Sequence, residues 1–119
     1  MRVVRPIPTP SDPVLPTPVA LGMTLRAART QAGVRLEDAA LQLGIAKQTL
    51  QNLEKGSPSV SLGTALRVAH EYGVTLLGVP ASQRKRAVDA IQAIVGRTPE
   101  SAQDLDAEAP STPRPRPPR

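Results

Sequence analysis

The chain has 119 residues, no cysteine and a single aromatic residue, Tyr72, which leaves room for one small domain with an aliphatic core and excludes disulfides and thiolate metal sites. Its net charge is +5 and its pI about 10.7, a balance that suits nucleic acid or another anionic surface. No apolar run reaches the ~20 residues of a membrane span and no signal-peptide core is present, so the expected location is the cytoplasm.

Six of the 14 prolines lie in residues 1–18 and five in residues 110–119. A foldable core is therefore expected from about Val19 to Gly96, a size at which domains are marginal alone and often oligomerise. Residues 1–18 read as a proline-rich, disordered arm, because proline fixes φ and removes backbone donors. Arg2 and Arg5 leave a second reading open, a basic arm that reaches a DNA minor groove.

The first helix is expected from about Val19 to Ala32. Leu21, Leu25, Ala28 and Ala32 form its apolar stripe, Arg26 and Arg29 point elsewhere, and Gly33 ends it. The second covers about Leu36 to Leu43, with Leu36, Ala39, Ala40 and Leu43 at helical spacing. Glu37 and Asp38 sit in its first turn, where they favour the dipole. Gly44 stops it, since glycine takes a left-handed cap at no steric cost. The third helix covers about Ala46 to Glu54 and buries Leu50 and Leu53. Its other face carries Lys47, Gln48, Gln51 and Asn52. Two short helices hinged on glycine, with amides outward on the second, make a helix-turn-helix. Amides can pair with adenine and lysine with guanine in a major groove. A merely solvated polar face is the plainer account of the same row.

Ser61 caps a fourth helix, Leu62 to Tyr72, with Leu62, Ala65, Leu66, Ala69 and Tyr72 inward. His70 reads as a surface residue. Residues 74–79, V-T-L-L-G-V, have strand composition. Either two copies pair this segment across a two-fold axis, or it is an extended connector packed under the fourth helix. After Pro80, Ser82 caps a fifth, accessory helix to Val95 within residues 81–96. Ala87, Val88, Ile91, Ile94 and Val95 form its apolar face, and Gln83 to Arg86 its first turn. Cations there oppose the dipole; phosphate or plain solvation would account for them. Residues 97–119 read as a disordered tail. No nucleophile–base pair, metal spacing or phosphate loop occurs, so neither an enzyme nor a cofactor is expected.

Residues 21–79 resemble the Cro/C1-type (XRE) helix-turn-helix family of phage repressors and bacterial regulators. The matching residues are Arg29, Gly33-Val34, Ala40, Gly44-Ile45, Gln48-Thr49-Leu50, Leu53-Glu54, Gly56, Ser61-Leu62, Ala69 and Gly73-Val74. The resemblance implies an all-α, five-helix, lambda-repressor-like domain over residues 19–80. It implies a homodimer on double-stranded DNA, acting as a repressor at a palindromic operator. Lys47, Gln48 and Asn52 fall where the family meets base edges, with Gln51 beside them; Arg35 and Lys55 are phosphate candidates. Arg29 and Glu54 match a buried ion pair. The segment G-V-T-L-L is similar to the HipB-like antitoxin branch, in which such a strand builds the dimer. It places Val74, Leu76 and Leu77 at the dimer interface and a toxin kinase among the partners. The chain departs at three positions. Arg35 and Ala46 stand where caps are usual, and Leu36 where a phosphate-binding glutamine is common. Those departures keep a protein–protein adaptor on the same fold in view.

Overall fold

The computed structural model describes residues 3–95. Five helices follow in order: α1 (Pro18–Gln31), α2 (Leu36–Leu43), α3 (Lys47–Lys55), α4 (Leu62–Glu71) and α5 (Arg84–Val95). One 3-10 turn, Ala81–Gln83, precedes α5. Among the described residues there is no strand, and no helix is long and apolar enough to cross a membrane. The tail from residue 97 lies outside the described residues.

α1 begins one residue earlier than expected, for a local reason. The Thr17 side chain accepts the Ala20 N–H at 3.1 Å. Pro18 follows at the first helical position, where its missing N–H removes nothing. α4 is capped as expected, by the Ser61 Oγ accepting the Thr64 N–H at 3.1 Å. Ser82 caps nothing; the 3-10 turn starts after Pro80, and its last N–H bonds the Pro80 carbonyl.

α1 packs chiefly against α3. Gly22 makes this crossing close: a Cβ there would stand 2.6 Å from the Leu53 and Glu54 carbonyl oxygens. The core is Leu25 of α1, Ala39, Ala40 and Leu43 of α2, Leu50 and Leu53 of α3, and Ala65, Val68 and Ala69 of α4. Two expected stripes need correction. On α1, Ala32 is exposed, and Arg29, one turn after Leu25 and on the same side, is buried. On α4, Leu62 and Leu66 face outward, 73% and 48% exposed, while Val68 is buried. The inner face runs through residues 65, 68, 69 and 72, which share a side at helical spacing as well as the larger leucines do.

Residues 3–17 form neither helix nor strand, and the expected disordered arm is tied down at one point. The Ile7 N–H donates to Thr30 Oγ1 at 3.0 Å. Gln31 Nε2 donates to the Ile7 carbonyl at 2.7 Å and to Thr9 Oγ1 at 3.2 Å. The arm thus doubles back along α1 to its C-terminal end. Residues 74–79 form an extended connector. Val74 and Leu76 pack on the core; Leu77 is 72% exposed. Ala87, Val88 and Ile91 of α5 are half-buried and Ile94 is exposed.

Candidate nucleic-acid interface

The turn between α2 and α3 decides how α3 is presented. Gly44 has φ +70°, a region side chains avoid. Its N–H bonds the Leu41 carbonyl and the Ile45 N–H bonds the Ala40 carbonyl, both at 3.1 Å. This double bond pattern satisfies the last carbonyls of α2 and reverses the chain within two residues. Arg67 of α4 adds a hydrogen bond from its guanidinium to the Leu43 carbonyl. The end of α2 is therefore held from a second element. Neither α2 nor α3 has a side-chain cap: Arg35 and Ala46 occupy those positions and form no cap bond.

α3 is fixed from below by leucines and one ion pair. Leu50 and Leu53 are buried in the core. Arg29 Nε and Nη2 donate to the two Glu54 carboxylate oxygens at 2.8 and 2.9 Å, a bidentate pair. Arg29 Nη1 donates to the Val34 carbonyl at 2.8 Å. Both side chains are buried, 9% and 5% exposed. The hydrogen bond to Glu54 raises the Arg29 pKa against the opposing pull of burial. The Tyr72 hydroxyl donates to Glu54 Oε2 at 3.4 Å. Burial, and then the Glu54 charge, push the phenol above its ordinary range. One carboxylate thus joins α1, α3 and the end of α4.

Lys47, Gln48, Gln51, Asn52 and Lys55 form the other side of α3. Lys47, Gln48 and Lys55 are exposed; Gln51 and Asn52 are half-buried. Gln48 Nε2 donates to Asn52 Oδ1 at 3.0 Å. Lys47 Nζ lies 4.0 Å from Glu37 Oε2 of α2. The Glu37 carboxyl sits below its ordinary range, first through its own backbone N–H and then through Lys47. Arg35 is bonded to Asp38 at 3.1 Å, so its charge is partly met within α2. Leu36 packs on the core and offers no donor. The structure therefore brings the four amide and lysine candidates of α3 onto one surface with Lys55. It places Arg35 beside an acid and leaves Leu77 apart, on the connector.

Sequence reasoning missed three supports of this surface. Gly22 carried a signal, an isolated glycine inside a helical pattern. Arg67 and the Tyr72 hydroxyl carried none, because their partners are 24 and 18 residues away.

Residues 25–79 match a family model described as helix-turn-helix. This segment is a helix-turn-helix domain of the Cro/C1 (XRE) type. The domain resembles three solved chains, each at a TM-score of 0.52, 20% identity and 57% coverage of this chain. One is a HipB variant in complex with an "O2" 20mer, of which 94% is covered. The others are HipB in complex with an "O4" 20mer and a chain titled MDT protein, each covered to 96%. At that identity the likeness is one of fold. Among curated proteins none matches the chain. The match supports a DNA-binding regulator of this type.

Proposed function

We propose that the chain is a sequence-specific DNA-binding transcription regulator, a homodimeric repressor that reads a palindromic operator with α3. One observation carries this reading. The polar row of α3 is open to a ligand while Leu50, Leu53 and Glu54 on its opposite side anchor it to the domain. Lys47, Gln48, Gln51 and Asn52 meet base edges and give specificity. Lys55 meets phosphate without rearrangement; Arg35 does so by leaving Asp38. Such contacts supply affinity that falls with salt. The HipB chains of like fold are titled as complexes with 20mers, which supports duplex DNA as the partner. A two-fold dimer would demand half-sites about one DNA turn, ~34–36 Å, apart.

For the dimer, the connector supports the expected contact at Leu77 more than at Val74 and Leu76, which pack on their own core. Leu62, Leu66 and Val79 add exposed apolar area. Among the described residues, the N–H groups of residues 75–79 donate to no acceptor, so this stretch is free to pair with a second copy.

Operator selection from a random duplex pool, followed by mobility shifts at two salt concentrations, tests the proposal. Enrichment of a palindrome and weaker binding at high salt are expected. A chain that shifts no duplex at either salt is the adaptor, and the reading is wrong. The fold likeness to HipB favours a second, narrower reading, an antitoxin that represses its own operon and binds a toxin kinase. Co-purification of a kinase with the tagged chain would support it; purification alone from its native cells would count against it.

A further inference from the structure

Gln48 and Asn52 are one turn apart on α3, the spacing at which helical side chains meet. Their hydrogen bond changes what each can offer. A primary amide has one carbonyl oxygen and two N–H donors. The bond engages one Gln48 N–H and the Asn52 carbonyl. Gln48 keeps its own carbonyl and a second N–H. Those are the two groups adenine requires, one accepting from N6 and one donating to N7. Asn52 keeps two N–H donors, and one of the two lone pairs on its carbonyl oxygen is taken. It is thereby suited to acceptor groups: guanine O6 or N7, thymine O4, or a phosphate oxygen.

The two side chains also differ in setting. Gln48 is exposed and long, so it has the most rotamer freedom to lose on binding. Asn52 is shorter and half-buried. Its backbone carbonyl accepts the Ser57 N–H at 2.9 Å, at the capped end of the helix. The fixed residue holds the free one. We propose that Asn52 is a positioning residue for Gln48, presenting the Gln48 amide to one adenine. This rests on the DNA-reading assignment above and adds to it a coupling: two amides that read one base pair as a unit instead of two adenines separately.

The test uses the full chain and an operator selected from a random duplex pool. Affinities are measured for the native chain and for Gln48→Ala, Asn52→Ala, Asn52→Asp and the Gln48/Asn52 double alanine variant. Each is measured on the operator and on duplexes changed one base pair at a time. Circular dichroism checks that each variant is folded. Gln48→Ala should abolish an A·T preference at one base pair, with a loss of at least about 5-fold. Asn52→Ala should flatten the preference at that same base pair. The double variant should bind within about 2-fold of Gln48→Ala. Asn52→Asp keeps an acceptor for Gln48, so it should retain the adenine preference while overall affinity falls by repulsion from phosphate. Losses that multiply, with each substitution acting at a different base pair, would overturn the pairing and leave the regulator reading intact. A chain that enriches no sequence overturns both.

Discussion

The Arg29–Glu54 pair is where the fold is most exposed to a single change. Glu54→Ala removes both acceptor oxygens from a guanidinium that is 9% exposed. It also takes away the partner of the Tyr72 hydroxyl. Arg29 keeps only its bond to the Val34 carbonyl, so a charge is left buried with one neutral acceptor. Breaking a buried pair in this way costs about 3–5 kcal/mol. A domain of this size has about 5–12 kcal/mol in total, so the variant should lose a quarter or more of its stability. The same reasoning predicts an asymmetry. Replacing both members by apolar residues, Arg29→Met with Glu54→Leu, removes the two charges together. That double variant should be more stable than either single one, since the desolvation penalty disappears with the charges. Urea denaturation followed by far-ultraviolet circular dichroism measures all five proteins (native, Glu54→Ala, Arg29→Met, Glu54→Leu and the double variant), with midpoints compared at equal slope. If Glu54→Ala loses less than about 1 kcal/mol, a value typical of exposed pairs, then the pair is solvated in solution and does not hold α3 to α1. A double variant that loses the sum of the singles would refute the desolvation argument alone.

Gly22→Ala would raise helix propensity by up to about 1 kcal/mol, yet the new methyl would meet two backbone carbonyls at 2.6 Å. A net loss of about 1–3 kcal/mol is expected, visible as a lower thermal midpoint; a stabilised variant would show that the α1–α3 crossing has slack. Ala46→Ser supplies the absent cap of α3 at a residue already in extended geometry. It should gain about 0.5–2 kcal/mol in the same melt, and no gain would mean that the α3 amides are satisfied otherwise. Tyr72 gives a pH prediction. Its folded pKa is raised above the unfolded value of about 10, so the neutral phenol's contribution is complete below pH ~10 and is lost as pH rises beyond it. Stability should therefore fall above pH ~10 in the native chain and stay flatter in Tyr72→Phe. As the chain has one tyrosine and no tryptophan, tyrosinate absorbance follows the titration directly, and an ordinary midpoint would refute burial of the hydroxyl.

Much of this architecture could be read from residue order. Helical periodicity with glycine stops located α2, α3 and α4 to within a residue, because four glycines at positive φ end α1 to α4 in the same bonded pattern. The polar row of α3 was legible for the same reason: one helix face holds only amides and lysines. Periodicity did not decide which of two overlapping stripes on α4 turns inward. Leu62 and Leu66 are larger, but the core shared with Leu43, Leu50 and Leu53 takes Ala65, Val68 and Ala69 instead. Arg29 shows a different limit. It lies one turn from Leu25, on the buried side, but its charge argues against burial, and only the match to a family pattern pairs it with Glu54. The arm was the least legible part. Prolines say that a segment is extended and leave open what it lies against; Ile7 finds Thr30 at a separation of 23 residues.

The arm's return path has a topological consequence. α1 is the middle member of a hairpin, flanked by the arm and by α3, and the chain enters this hairpin at the α1 C-terminus. A second module joined ahead of Val3 would leave from the side of the α1 C-terminal end, where Ile7 is held. The same module joined directly to Pro18 would leave from the opposite end of the helix, roughly 20 Å away. Two fusions that differ only in residues 3–17 would carry their cargo to different sides of the domain.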